Sequence, residues 1–372
     1  MKIGGAAMSE SILKKEEKIA LEPRALYAKY GYLPYKMSKF EEYDLYASNK
    51  DFLTGDRVIT FNDTDGKLLA LKPDVTLSIV KNDVAAGDTR KVYYNENVYR
   101  ISGETKQFKE LMQVGLERIG EMGIYEVYEA VYLAAASLAQ ISQNFVLDIS
   151  HLGVLSALMD EWIGIKRDPA FEKAAMECLA EKNAHGLAAV CEQYGVVKAG
   201  QEMLLAVVGA YGKMQAALAK IEPYCKGKAA RPFARLQTLF SMLGKTEYAE
   251  NIRLDFSVVN NRNYYDNILF KGFIEGVSES VLSGGRYDKL MERLGKKTGA
   301  IGFAVYLDLL EGFHEDKRLL DVDVMVLYDD ETDAEAIVKA VQETVQSGKS
   351  VSAQKTPSGV RYQTLLDIRG CV

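Results

Sequence analysis

Two stretches of alternating polar and apolar residues lie close together in the first third of the chain. KVYYNENVYR spans residues 91–100, and QFKELMQVGLERIG spans residues 107–120. A period of two puts Gln113, Gly115 and Glu117 on one face of the second stretch. The pattern predicts two strands joined by the loop ISGETK, and it commits this part of the chain to a β-sheet.

The sequence before these strands predicts one helix and one hairpin. Residues 16–30 carry Ala, Leu and Tyr at helical spacing, and Gly31 ends the helix as a residue that tolerates positive φ. VITF and LLALK flank the turn NDTDGK, which predicts a hairpin over residues 58–72. Pro73 ends the hairpin, and a further helix is expected over residues 74–81.

Helical periodicity dominates the middle of the chain. It returns at residues 124–142 and continues through residues 151–250, with breaks near Gly195, Pro223 and Gly244. We interpret residues 151–250 as a mostly helical insertion.

Strand patterns resume over residues 253–282 and are expected to break at SGGRYD, residues 283–288. The two glycines suit a tight turn or a close approach of the backbone to a ligand. A helix is predicted to follow near residues 289–294. The run IGFAVYLDLLEGF, residues 301–313, is apolar nearly all round, which predicts a second helix that is buried.

The last fifty residues change character again. From Asp321 the chain reads as strand VDVMVLY, helix DAEAIVKAVQETVQSG and strand SVSAQK, which is one βαβ unit. The predicted fold class is α+β. The expected division is 1–150 for the first part of a core, 151–250 for the helical insertion, 251–317 for the second part of the core and 318–372 for a small α/β domain.

The overall composition is that of an ordinary globular protein, with 48% apolar and 26% charged residues. A formal charge of −6 argues against a protein that binds nucleic acid mainly by neutralising phosphates. The four cysteines form no CxxC pair and no metal-ligand spacing with the histidines, so no disulfide or metal site is expected. The N-terminus lacks the apolar run of a signal peptide, and no stretch approaches a membrane span, which predicts a cytoplasmic protein.

Gln113 and Glu117 are the first candidate binding residues. With Gly115 between them they would line an open slot of hydrogen-bond acceptors. Such a slot suits an ammonium group, because charge-assisted hydrogen bonds contribute about 1.5–3 kcal/mol each. The alternative is the solvent-facing side of a half-buried strand, and on spacing alone that interpretation is the default.

Other candidates have equally ordinary alternatives. Asp74 or Thr76 can cap the helix that follows Pro73. One of Tyr264 and Tyr265 should pack in a core while the other presents its hydroxyl, since neighbours on a strand face opposite ways. Singly, these residues do not identify a function. The chain carries no P-loop, GxGxxG, HExxH or GxSxG motif.

The order of the motifs is more specific than any one of them. LALKPDVT, VYYNENVYR, QFKELMQVGLERIG, NRNYY, SGGRYDKL and IGFAVYLDLL follow one another within residues 16–315. In that order and spacing they resemble histidyl-tRNA synthetase. The resemblance implies a class II aminoacyl-tRNA synthetase-like antiparallel sheet core flanked by helices. It also implies that histidine is bound at Asp74, Val75, Thr76, Arg100, Gln113, Glu117, Tyr264 and Tyr265.

Several positions depart from the synthetase pattern. Asn260 stands where the family's RGLDYY motif has an arginine, unless a two-residue shift lets Arg262 take its place. In the family's GFAxGLERL motif, which holds ATP, Leu309 replaces the arginine and Tyr306 replaces a glycine. ISGETKQ also lacks the glutamate and second arginine of the family's loop. Because losing one such group typically costs about 2.7–4 kcal/mol of transition-state stabilisation, adenylate formation is not expected.

One group of synthetase-like proteins has this profile: the regulatory subunits of ATP phosphoribosyltransferase, which act in histidine biosynthesis. They carry LRPDxT rather than LRPEGT, as LKPDVT does here, and they lack a complete anticodon-binding domain, for which the C-terminal unit is too short. The resemblance implies a homodimer that has no cofactor and no catalytic residue. It also implies binding to the short-form catalytic subunit and a part in feedback inhibition by histidine.

Two other functions are left open. An active histidyl-tRNA synthetase is opposed by Leu309, Tyr306 and Asn260. A paralogue that binds another amino acid, or has a free-standing binding role, is allowed by Arg262 and the altered NNRN strand.

Overall fold

The computed structural model describes residues 15–49, 58–81, 89–101, 107–163, 168–259, 265, 267–310, 320–357 and 359–370. In this part of the chain the helices are α1 (Lys15–Lys29), α2 (Tyr43–Ala47), α3 (Val75–Lys81), α4 (Ile124–Ile141), α5 (Leu152–Trp162), α6 (Pro169–Ala180), α7 (Ala184–Gln193), α8 (Lys198–Gly209), α9 (Met214–Ile221), α10 (Ala230–Leu243), α11 (Asp288–Arg293) and α12 (Ala334–Gln346). The strands are β1 (Leu33–Pro34), β2 (Phe40–Glu42), β3 (Thr60–Asn62), β4 (Leu68–Leu71), β5 (Arg90–Ile101), β6 (Phe108–Gly120), β7 (Phe145–His151), β8 (Tyr211–Lys213), β9 (Ile252–Asp255), β10 (Ile268–Ile274), β11 (Leu282–Arg286), β12 (Gly299–Tyr306), β13 (Val322–Leu327), β14 (Val351–Gln354) and β15 (Tyr362–Asp367).

A large sheet is built in the order β1-β5-β6-β12-β11-β10-β7-β9-β8. Its neighbouring strands are antiparallel except for the parallel pairs β1 with β5 and β7 with β9. The strand β5 pairs with β6 along its whole length, from Arg90 opposite Ile119 to Ile101 opposite Phe108. The predicted α+β fold with an antiparallel core is confirmed.

Helices cover both faces of this sheet. The face that carries Val114 and Leu116 packs on α1 and α4 in the main apolar core, which the helices of residues 151–250 extend. The other face, which carries Glu117, lies under α3 and α11 in a second apolar cluster. We call this second side the front face and the first side the back face. Because helices cover both, the long strands are buried on both sides over much of their length.

The predicted helix over residues 301–313 is wrong. The described part of this run is the strand β12, followed by a short 3-10 turn over Leu307–Leu310. The strand lies between β6 and β11, and the side chains of both its faces are largely buried. A strand buried on both faces is continuously apolar, so its periodicity does not distinguish it from a buried helix.

The predicted turn at SGGRYD is also wrong. Residues Leu282–Arg286 form the strand β11, and the helix α11 begins only after it. The glycines make room for neighbours instead of turning the chain. A methyl group at Gly284 would overlap the side chains of Phe303 and Phe270, and one at Gly285 would meet the ring of Tyr265 at 2.6 Å.

The chain divides into two compact units, Met1–His314 and Glu315–Val372. The second contains the predicted βαβ unit and also a strand that the sequence pattern did not reveal, β15, which pairs with β13 in parallel. Leu365 and Leu366 are adjacent in β15, so the sequence of this strand lacks the alternation of polar and apolar residues that marks a half-buried strand. Both leucine side chains are exposed. The fourfold division of the chain stays a prediction.

None of the helices among the described residues has the length and apolar character needed to cross a membrane. In the same part of the chain, Cys178, Cys191 and Cys225 are free thiols.

Candidate functional site

The front face of β6 carries the two acceptors that the sequence singled out. Gln113 and Glu117 are 4% and 2% exposed, so the interpretation as a solvent-facing strand surface is wrong. Glu117 is paired with Gly302 of β12, and Gly115 is paired with Tyr94 of β5. The acceptors therefore lie at the centre of the large sheet.

Glu117 is a buried carboxyl that receives two hydroxyl donors. Thr76 donates to Oε1 at 2.7 Å from the first turn of α3, and the Tyr287 hydroxyl donates to Oε2. Burial raises the pKa of Glu117 from 4.5 to about 8, a shift that both hydrogen bonds oppose and that nearby Asp74 reinforces. Among the described residues no cation forms a salt bridge with this carboxyl. Its neutral form is therefore favoured until a cation arrives.

Asp74 both caps a helix and lies at the candidate site. Its Oδ1 accepts the backbone N–H of Leu77 at 2.9 Å, which caps α3. Burial raises the pKa of Asp74, opposed by that hydrogen bond and by the charge of Arg100. Arg100 Nε in turn donates to the carbonyl of Pro73 at 3.1 Å. Asp74, Thr76 and Arg100 thus form part of the polar group on the front face, whereas the side chain of Val75 packs among the apolar residues of the same face.

Three tyrosines extend the polar cluster. The ring of Tyr265 lies against Gly285, and Tyr94 lies over Gly115 with its hydroxyl 3.5 Å from the Phe303 carbonyl oxygen. Tyr306, at the end of β12, hydrogen-bonds to Ser283 through its hydroxyl.

Burial raises the pKa of all three phenols, so each is a neutral hydroxyl at physiological pH.

A buried ion pair borders the cluster. Lys72 Nζ lies 2.8 Å from Glu96 Oε2, with the lysine side chain fully buried, and Glu96 is paired with Gln113 across β5 and β6. Among the described residues named here, the carboxyls of Glu117, Asp74 and Glu96 therefore lie near two cations, Lys72 and Arg100. The surplus carboxyl suits a ligand that brings a positive group.

Sequence reasoning missed Tyr94 and Tyr287. The alternation of KVYYNENVYR did place Tyr94 on the same face as Arg100, so a signal for it existed. Tyr287 lies 170 positions from Glu117, and no local pattern links them.

Leu309 lies in the 3-10 turn and packs on the main apolar core, away from the polar cluster. Asn260, Arg262 and Tyr264 lie outside the described residues, as does most of the loop ISGETK. No group of three or more potential metal ligands comes together in the part of the chain that is described.

Comparison with known proteins identifies the family to which this chain is related. The family model described as histidyl-tRNA synthetase matches residues 6–310. An ATP phosphoribosyltransferase regulatory subunit from Bacillus licheniformis is 28% identical over 354 residues, which cover 92% of this chain and 88% of that protein.

Two solved structures share the fold. An ATP phosphoribosyltransferase regulatory subunit/histidyl-tRNA synthetase from Bacillus halodurans superposes with a TM-score of 0.77 at 22% identity, covering 96% of this chain and 95% of the other. A chain of the ATP phosphoribosyltransferase complex from Thermotoga maritima has a TM-score of 0.61 at 15% identity, covering 78% and 96%. The chain therefore belongs to the histidyl-tRNA synthetase family and, within it, resembles the regulatory subunits of ATP phosphoribosyltransferase.

Proposed function

We propose that this protein is a non-catalytic regulatory subunit of a short-form ATP phosphoribosyltransferase. Relatives named for that role match most of the chain, and the fold is shared with a chain of the Thermotoga maritima complex. One observation carries the non-catalytic part of the proposal. Leu309, at the position of the arginine that grips ATP in the synthetase pattern, supplies no charge and packs against the apolar core. Tyr306 stands where that pattern has a glycine that leaves room for the nucleotide, and its hydroxyl is bonded to Ser283.

In this role the front face binds histidine as the feedback signal. Glu117 and Gln113 are buried acceptors, and Glu117 has hydroxyl donors but no described salt bridge. A ligand ammonium group supplies the missing cation, because an ionised carboxylate is strongly stabilised by a buried opposite charge. Arg100, beside Asp74, provides a cation for the ligand carboxylate.

The partner is the catalytic subunit of ATP phosphoribosyltransferase, with which homodimers of this chain form a hetero-oligomer in the cytoplasm. Light scattering of this chain alone, and then with the catalytic subunit, measures both steps. We expect a dimer mass for the first sample and a larger complex for the second.

Activity in trans is the direct test. A short-form catalytic subunit is assayed for phosphoribosyl-ATP formation with and without this chain. We expect activity only with both, and inhibition by added histidine. If the rate is unchanged by this chain, the proposed function is wrong.

Histidine-dependent ATP–pyrophosphate exchange tests the synthetase alternative. The proposed function predicts no exchange above background. Exchange at a synthetase-like rate would establish an active enzyme instead. A thermal-shift screen against the twenty amino acids tests the paralogue, since a ligand at 100 times its Kd adds about 2.7 kcal/mol of stability. We expect a shift with histidine only.

A further inference from the structure

A cavity lies on the back face of the large sheet, apart from the cluster around Glu117. Its volume is about 420 Å³, in the range of small-molecule sites. The start of α4, the helix α10 and the ends of β7, β10 and β11 surround it. Arg286 follows Gly285 on β11 and therefore points to the face opposite the Glu117 cluster.

Three guanidinium groups line this cavity. Arg231 and Arg235 lie one turn apart on the same side of α10, and both are exposed. Neither has an ion pair or hydrogen bond with another described residue. Arg286 lines the opposite wall and is held by Asp288, with Nε 2.8 Å and Nη2 2.6 Å from Oδ2.

The described lining residues include no carboxylate, so nothing in the wall neutralises Arg231 and Arg235. Like charges four residues apart on a helix repel each other. An anion between them relieves that repulsion. Phosphate fits best, because guanidinium groups bind its oxygens through paired hydrogen bonds.

Two buried polar groups line the same cavity. His151 is 8% exposed, and its Nδ1 accepts the backbone N–H of Val154 at 3.1 Å. The proton of the neutral ring is therefore on Nε2, which remains a donor. The Oδ1 atom of Asn267 is buried without a hydrogen-bond partner. This atom has almost no accessible surface, so the donor that a ligand in the cavity can reach is His151 Nε2.

The remaining wall is apolar and includes Ile124, Val127 and Ile268. A bare inorganic anion would leave this wall and the His151 donor without contacts. A phosphorylated sugar satisfies all three features at once, because it combines a phosphate, hydroxyl oxygens that can accept from His151 and a ring with carbon-bound faces.

We propose that this back-face cavity binds a small sugar phosphate. Its phosphate lies between Arg231, Arg235 and Arg286, and a sugar hydroxyl accepts from His151 Nε2. The ring rests on the apolar wall. This site is separate from the front face, and its existence does not depend on the proposed regulatory function.

Isothermal titration of the full chain with ribose 5-phosphate tests the site, with ribose and inorganic phosphate as matched probes. We expect ribose 5-phosphate to bind, inorganic phosphate to bind at least tenfold more weakly, and ribose to give no heat. Raising the salt concentration should weaken binding, since exposed charges are screened. Absence of binding at millimolar ribose 5-phosphate overturns the proposal, and so does equal binding of phosphate.

A pair of double variants locates the site. Arg231→Gln with Arg235→Gln removes two charges from the cavity wall, whereas Lys226→Gln with Lys245→Gln removes two exposed charges that lie near α10 but outside the cavity. We expect at least tenfold weaker binding in the first variant and none of that loss in the second. Equal affinities would assign the anion to another surface. Displacement of the sugar phosphate by a short RNA, with tighter binding of the RNA, would identify a nucleic-acid surface and also overturn the proposal.

Discussion

The carboxylate of Glu117 lies directly on the backbone of Gly302 in the neighbouring strand, so that a methyl group built on this glycine would overlap Oε2. Tyr94 lies over Gly115 in the same way, and Tyr265 over Gly285. Each glycine leaves the space that one polar side chain of the front face occupies. The cluster around Glu117 therefore depends on glycines that lie within strands and not in turns.

Gly302→Ala tests this dependence. We expect a loss of about 1–3 kcal/mol or more in the free energy of unfolding, because the methyl group would also lie 2.5 Å from the Leu116 carbonyl oxygen. Urea titration measures the loss. Gly209→Ala, at the end of α8 with nothing within 4 Å of the added carbon, is the control. It should leave stability unchanged or raise it by about 0.4–1 kcal/mol.

Glu117 should make the protein less stable as the pH rises. Its pKa is near 4.5 in an unfolded chain and about 8 when folded, so the folded state binds more protons between these values. The free energy of unfolding then falls from pH 4.5 to 8, on the order of 2–4 kcal/mol from this group. Glu117→Gln should remove that contribution in urea titrations at pH 5 and pH 8. Glu202→Gln, at an exposed position on α8, should keep the slope of the original protein.

Histidine binding is expected to release protons. Pairing of the ligand ammonium group with Glu117 requires an ionised carboxylate, and burial raises the pKa of that group to about 8. At pH 7 most sites should therefore lose a proton on binding. Calorimetry in two buffers of different ionisation enthalpy detects it, and identical heats would contradict the assignment. Glu117→Ala should abolish binding while the fold survives, whereas Glu110→Ala, at an exposed position on the same strand, should not.

Protonation of His151 should lower the stability of the folded protein as the pH falls. Burial, together with the charges of Arg286 and Arg235, lowers the pKa of His151 from 6.5 to about 4. Between these values the unfolded chain binds the extra proton, so the stability present above pH 6.5 is lost toward pH 4. His151→Asn keeps an acceptor for the Val154 N–H and removes the titration. The melting temperature of the His151→Asn variant should vary less between pH 6.5 and pH 4 than that of the His185→Asn variant, whose substituted residue is exposed.

The buried pair of Lys72 and Glu96 should be sensitive to the loss of one partner. Lys72→Met leaves the Glu96 carboxylate without its cation, at a cost of about 3–5 kcal/mol for a buried pair. The double variant Lys72→Met with Glu96→Leu should recover most of the loss. The exposed pair of Lys67 and Glu42, at 3.5 Å, is the matched control, and Lys67→Met should cost less than about 1 kcal/mol.

Local periodicity predicted the elements in which polar and apolar residues occupy different faces. The helix α1, the hairpin of β3 and β4, the strands β5 and β6 and the helix α4 lie where their patterns placed them. Periodicity failed at β12 and β11, where both faces are buried and the glycines make space for side chains of other strands. Neither condition can be detected within a window of ten residues.

The sequence by itself determined that Gln113 and Glu117 share one face of β6, because side chains alternate along any strand. It also narrowed the cap of α3 to Asp74 or Thr76, because a capping hydrogen bond spans only about three residues, and the structure shows that Asp74 is the cap. Only the tertiary structure decided that this face is buried and that Thr76 and Tyr287, 41 and 170 positions away, donate to the same carboxyl. The pKa of Glu117 follows from that burial and those donors, which exist only after distant segments pack together.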